Sequence, residues 1–184
     1  MHEGENGFTL IELMVVVSII GILAIIAAPN IYEALAAYRL KSAARDISSN
    51  FRKARAMAIR QKRQVVIKFE TSHDGSDRKG RYVFDAEGAN RKLIPEKEAG
   101  FLCDLYGGGV HFGFGAAKKN ATNSGGKLPS SPVTFQGNRV LFNSMGMGTA
   151  GYVYLADNRG SSYAVGMLST GPVNFKHWNG SAWK

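Results

Sequence analysis

The run Gly7-Phe8-Thr9-Leu10-Ile11-Glu12-Leu13-Met14-Val15-Val16-Val17-Ser18-Ile19-Ile20-Gly21-Ile22-Leu23-Ala24-Ile25-Ile26-Ala27-Ala28-Pro29 decides how the rest of the chain must be arranged. From Phe8 to Ala28 only Thr9, Glu12 and Ser18 are polar. Wound as an α-helix at ~1.5 Å per residue, the stretch is roughly 31 Å long, the thickness of a bilayer's hydrocarbon core. A helix that is apolar on all sides needs lipid or the interior of an assembly around it. Glu12 lies inside this helix. A carboxylate at membrane depth is costly, so its presence points to a function and to a partner.

Other readings of the same residues exist. Thr9-Leu10-Ile11-Glu12 has the spacing of a capping box, in which Thr9 and Glu12 satisfy the first free N–H groups of the helix. That role and an intersubunit one are compatible. A secretory signal would use Ala34-Leu35-Ala36 as its cleavage site. However, Met1–Gly7 carries no Lys or Arg, and Glu12 interrupts the apolar region. A plain membrane anchor is the third alternative.

The glycine, the aromatic, the acid five places on and the full-length apolar run closely resemble the class III signal of type IV prepilins and pseudopilins. The resemblance implies a leader at 1–7, cut by prepilin peptidase between Gly7 and Phe8, with Phe8 becoming N-methylphenylalanine. It makes Glu12 the acid that pairs between subunits, and Gly21 and Pro29 the helix-loosening positions. It also implies a single pass through a bacterial inner membrane with the globular part in the periplasm. Arg39, Lys41 and Arg45 beyond the span would by the positive-inside rule alone put that part in the cytoplasm.

Between Pro29 and Gly75 there is neither Gly nor Pro. Pro29 cannot donate to the carbonyl of Ile25, so a kink or loosened turn is expected there. Beyond it Leu40, Ala44, Ile47, Phe51, Ala54 and Ala58 recur at helical spacing as one apolar stripe. Lys41, Arg45, Arg52, Arg55 and Lys62 lie largely off it, as a solvated basic face. The periodicity predicts a helix to about Arg63. The segments are thus a membrane helix over 8–29, an amphipathic continuation over 30–64 and a globular β domain over 65–184.

Val65–Glu70 reads as a strand with Val65, Ile67 and Phe69 on one face, and Arg81–Asp85 as its hairpin partner. Further strands are expected at Phe101–Tyr106, Val110–Phe114, Val133–Phe135 leading into Arg139–Phe142, Gly151–Leu155, Tyr163–Leu168 and Val173–Trp178. Asp157-Asn158-Arg159-Gly160 is a tight-turn sequence. Ala116–Pro132, rich in Lys, Asn, Ser and Gly, reads as a long surface loop. The fold class is therefore α+β, with a long amino-terminal helix whose outer half packs on an antiparallel sheet or sandwich. This second part resembles the pseudopilin H and FimT group, in the Ala43–Gln64 helix leading into Val65–Phe69, in Phe142-Asn143-Ser144-Met145-Gly146 and in the closing hairpin.

The formal charge is +9, and loss of Glu3 and Glu5 with the leader raises it to +11. That favours acidic partners, anionic lipid or nucleic acid. The lone Cys103 cannot close an intramolecular disulfide and reads as a small core residue. His2, His73, His111 and His177 lack metal-ligand spacing. Asp74-Gly75-Ser76-Asp77 lacks a full calcium loop, and Gly113–Lys118 lacks the full phosphate-loop pattern. No nucleophile motif is present, so no catalysis and no cofactor are expected. The function expected from the resemblance is a minor pseudopilin, a structural subunit of a type II secretion pseudopilus or a type IV pilus. Its partners would be prepilin peptidase, other pilins and inner-membrane lipid. The alternative is a DNA-uptake pilin. DNA-binding members of the group carry G-R-x-R near the carboxyl end, where this chain has Gly171-Pro172-Val173-Asn174. Only Lys176, His177 and Trp178 offer charge and stacking nearby, so weak nucleic-acid binding is expected.

Overall fold

The computed structural model describes residues 9–71, 81–85, 106–107, 109–122 and 125–184, with backbone alone for 27–30 and 81–85. The chain divides into two compact units, 1–36 and 37–184. Helix α1 (Leu10–Gln61) contributes to both. Seven strands follow: β1 (Val65–Glu70), β2 (Arg81–Asp85), β3 (His111–Phe112), β4 (Arg139–Phe142), β5 (Gly151–Ala156), β6 (Ser162–Met167) and β7 (Val173–His177). They form two antiparallel sheets, ordered β2-β1-β4 and β3-β5-β6-β7. The expected α+β architecture is the one observed. Gly21 and Pro29 fall within α1, and the loosening expected at Pro29 lies in the segment whose side chains are outside the described residues. Cys103 and residues 101–105 of the strand expected over Phe101–Tyr106 are also outside them.

The second half of α1 packs as its periodicity predicts. Leu40, Ala44, Ile47, Phe51, Ala54 and Ala58 are all buried, together with Ala43. Small residues on this face let the sheets approach closely, and Phe51 fills the space between them. Its ring meets those of Phe69, Phe135 and Phe142 edge-on at centroid distances of 6.1, 5.9 and 6.3 Å. Edge-to-face packing sets the positive ring edge against a negative ring face. Val65, Ile67 and Phe69 of β1 point into the same core. Arg55 departs from the expected solvated face. It is half-buried, and its Nε donates to the carbonyl of Gly146 at 2.9 Å, tying α1 to the turn after β4.

The β3-β5-β6-β7 sheet is covered on both faces. Val153, Leu155, Val165 and Met167 enter the main core. Tyr152, Tyr154 and Ala164, on the other face, form a second cluster with Ala121, flanked by Phe114 and Trp183. The cover on that side is the segment expected to be a surface loop. Ala117 and Ala121 are buried, and the Ala121 N–H donates to the Tyr154 hydroxyl at 2.8 Å. Such pairing between residues distant in sequence leaves no local signal in composition. The hairpin turn between β5 and β6 is as expected, with Asp157 Oδ1 accepting from Arg159 N at 3.0 Å and Ser161 N at 2.9 Å.

Two strands are shorter than expected. Only His111 and Phe112 pair in the Val110–Phe114 run, because Gly109 and Gly115 both take positive φ and turn the chain on either side. Val133–Phe135 forms a single bridge, Val133 to Val153, before a 3-10 turn at Gln136–Asn138. That stretch lies along β5, with Thr134 N donating to Tyr152 O at 2.9 Å, and then crosses to the other sheet as β4.

Helix α1 stops without glycine or proline. Lys62 takes φ 49°, Arg63 N donates to Ala58 O and Lys62 N to Ile59 O. This pairing is a Schellman cap, normally closed by glycine, with a lysine in the left-handed position. A side chain there is strained, so Lys62→Gly is expected to stabilise the protein by about 0.5–1 kcal/mol. Urea unfolding of the two forms checks it.

Candidate functional site

The start of α1 carries the carboxylate singled out in the sequence. Glu12 Oε2 accepts from Thr9 N at 3.4 Å and from the Thr9 hydroxyl at 3.3 Å, and Glu12 N donates back to Thr9 Oγ1 at 3.3 Å. These reciprocal bonds are the capping box that the T-x-x-E spacing allows. They satisfy two of the N–H groups that a helix start leaves unpaired. Oε1 takes no bond from a described residue, so capping leaves half of the carboxylate open to another donor. Gly7 and Phe8 lie outside the described residues.

Beyond the cap, every large apolar side chain from Leu10 to Ile26 is between 46% and 77% exposed. Gly21 has no neighbour within 4 Å of where a Cβ would stand. The Ser18 hydroxyl donates to Met14 O at 2.8 Å, so this one polar group inside the stretch is satisfied by its own helix. Among the described residues no single helix piece is long and apolar enough to cross a membrane. Leu10–Ile26 and Ile31–Gln61 qualify together, by length and composition.

At the other end of the chain, Lys176, His177 and Trp178 do not form one surface. Lys176 Nζ donates to Ala121 O at 2.8 Å and lies 5.8 Å from the centre of the Tyr152 ring. His177 is exposed and its ring packs on Tyr163 at 4.6 Å. Trp178 is buried, its ring edge-on to Trp183 at 5.4 Å. A base stacks on an open aromatic face, and Trp178 presents little of one. Lys176 and Trp178 instead line a cleft of about 460 Å³ together with Lys119, Asn120, Thr122 and Trp183. Lys119 and Trp183 were not singled out in the sequence. The Trp178-Asn179-Gly180-Ser181-Ala182-Trp183 ending, with a turn between two tryptophans, was the available signal. Lys119 stands 64 residues from Trp183, whose Nε1 donates to its carbonyl.

Among the described residues no cluster of His, Cys, Asp or Glu could hold a metal ion. His111 is half-buried on β3, its Nδ1 2.7 Å from the carbonyl of Gly109. Among the described residues two tyrosines are perturbed. Burial pushes the Tyr154 hydroxyl above its usual value of 10.0, opposed by the Ala121 N–H bonded to it. Burial also raises Tyr163, opposed by the charge of Arg45.

A tyrosine whose folded value is raised holds its proton longer when folded than when unfolded. Its contribution to stability is therefore intact below about pH 10 and falls as the pH rises past that value. Tyr154→Phe is expected to lessen this alkaline loss. At neutral pH it orphans the Ala121 N–H at a cost of about 1–3 kcal/mol. Urea unfolding of wild type and variant at neutral and alkaline pH reads both effects.

Residues 4–28 match the prokaryotic N-terminal methylation motif. Residues 43–171, the amphipathic half of α1 and most of the β domain, match the type II transport protein GspH. No curated protein and no solved structure matches the chain. The two matches cover the two regions in which the sequence resembles pseudopilins, and the fold between them is a helix on antiparallel sheets. The chain belongs to the type II transport protein GspH family, the pseudopilins of type II secretion and type IV pilus systems.

Proposed function

We infer that the protein is a minor pseudopilin, a structural subunit that joins a type II secretion pseudopilus or a type IV pilus through its amino-terminal helix. Prepilin peptidase removes Met1–Gly7 and methylates Phe8. The helix waits in the inner membrane with the β domain in the periplasm, then exchanges lipid for the packed helices of sister subunits.

The observation that carries this reading is the apolar surface of Leu10–Ile26, exposed all round and interrupted by one carboxylate. A soluble monomer rarely exposes so large a contiguous apolar patch. Lipid and a helical core are similarly apolar, so burial alone does not choose between them. Shape and polar pairing must set the register of assembly. Glu12 supplies the pairing. Its open Oε1 suits the ammonium that cleavage creates at Phe8, on the same chain or on a neighbour.

The two roles of Glu12 separate in one substitution. Glutamine also serves a capping box, so Glu12→Gln should largely preserve a helix cap that is worth about 0.5–2 kcal/mol. Against an ammonium in a dry interface the loss of charge costs roughly 3–5 kcal/mol. The expected result is that Glu12→Gln protein inserts and is cleaved like wild type but no longer co-purifies with the other pseudopilins. Normal co-purification of the cleaved variant would mean that the intersubunit pair is not needed and that capping is the whole role of Glu12.

A further inference from the structure

The unit over 37–184 also exposes apolar surface, and it gathers most of it in one place. Among its described residues the exposed large apolar side chains are Tyr38, Ile59, Met145, Met147 and Leu168. All but Tyr38 belong to one corner, where the last turns of α1 meet the turns that follow β4 and β6. Ile59 Cδ1 lies 2.7 Å from where a Cβ on Gly146 would stand, so the isoleucine packs over the bare glycine between the two methionines. Gly148 N donates to Ser169 O at 3.1 Å, which brings Leu168 alongside. Single apolar residues on a surface need no explanation, but a gathered set marks an interaction site.

The corner is built to hold these side chains out. Asn143 Oδ1 accepts from Met145 N and Met147 N, each at 3.0 Å, and Asn143 N donates to Met147 O at 2.8 Å. The bond from Arg55 to the Gly146 carbonyl fastens this turn to α1. The backbone is fixed, and Met145 still stands 70% exposed. Thioether side chains on a rigid turn can adapt to the apolar surface of a protein partner.

Charge lies on one side of the corner only. No charged residue occurs between Arg139 and Asp157 or between Arg159 and Lys176, the stretches that carry the two turns. The helix side has no acid between Asp46 and Glu70. It has Arg52, seven residues before Ile59 and so on the same face, and Arg60 next to it, both exposed. A bilayer would present headgroups all round its contact, which cations on one edge answer poorly. A second copy would bring apolar surface but no carboxylate. We propose that this corner docks an amphipathic helix of another protein. The apolar face of that helix lies on Met145, Met147, Leu168 and Ile59, and a row of its carboxylates runs along the edge that faces Arg52 and Arg60. Helices are recognised in this way through apolar anchors one turn apart. The surface is separate from Glu12, and the proposal stands or falls independently of the assembly reading.

The test uses full-length protein held in nanodiscs of zwitterionic lipid, with empty discs as the blank. The probe is a fluorescein-labelled amphipathic peptide, leucines on one face and glutamates along its edge, read by anisotropy. A second peptide has lysine in place of every glutamate. The expected result is a saturable rise with the glutamate peptide, with the lysine peptide weaker by at least about tenfold. Met145→Glu leaves the Asn143 bonds in place, because they are made to backbone. That variant and the double variant Arg52→Glu/Arg60→Glu are each expected to weaken binding by at least about tenfold. Met145→Leu keeps an apolar side chain of similar size and is expected to bind as wild type does. The proposal is overturned if the glutamate peptide gives no saturable rise above the empty disc, or if the lysine peptide binds as tightly. It is equally overturned if Met145→Leu loses binding, or if either glutamate variant, with an unchanged circular dichroism spectrum, binds as wild type does. Tighter binding of phosphatidylglycerol vesicles, or of a second protein-bearing disc, that Met145→Glu abolishes would also overturn it.

Discussion

Apolar surface in contact with water costs roughly 25 cal/mol per Å², and α1 presents such surface on every side from Leu10 to Ile26. Two surroundings meet this constraint, lipid and the apolar helices of other subunits. Because they are nearly equivalent to a leucine or an isoleucine, the helix can move from one to the other without a large penalty, and a polar group has to distinguish them. On the function proposed above, Glu12 is that group. In the membrane its carboxylate is a liability, offset in part by the Thr9 capping box. In the proposed assembly it would set the register, because the rest of its charge would be met where a cation stands opposite.

The second half of the same helix obeys a different rule. From Leu40 onward one stripe is buried and the other faces carry Lys41, Arg45 and Arg52 in the open. Phe51 anchors the β domain to the helix through three edge-on aromatic contacts. Arg55 reaches from the helix to the Gly146 carbonyl and so fixes the turn after β4. At Gly171 a Cβ would stand 2.3 Å from that same carbonyl oxygen and 2.9 Å from Arg55 Nε. The turns that follow β4 and β6 thus converge on one helix residue, at a spot too crowded for a side chain at position 171.

The features that were legible in the sequence are those set by neighbours in sequence. The Leu40–Ala58 stripe, the β1 alternation, the Asp157–Gly160 turn and the Thr9–Glu12 box each follow from spacings of two to four residues. What escaped depends on distant partners or on a residue in a conformation it seldom adopts. Nothing in Lys62 announces a left-handed cap, and a glycine there would have marked the end of the helix. The stretch after Ala116 has the composition of a surface loop, yet Ala121 is buried because Tyr154, 33 residues on, needs a donor for its hydroxyl. The same holds for the two candidate sites. The amino-terminal one was readable because it is local to one helix start. The carboxyl-terminal cleft was only half visible: Lys176 and Trp178 stood out as charge and ring, but their company of Lys119 and Trp183 arises from folding.

The ammonium that the assembly account assigns to Glu12 exists only if the chain is cut after Gly7. The decisive measurement is therefore the intact mass of the protein isolated from membranes of cells with active prepilin peptidase. The expected mass is that of a chain that begins at Phe8 and carries one added methyl group. A chain that retains Met1–Gly7 under those conditions would contradict it, because Glu12 would then have no amino terminus to pair with at Phe8.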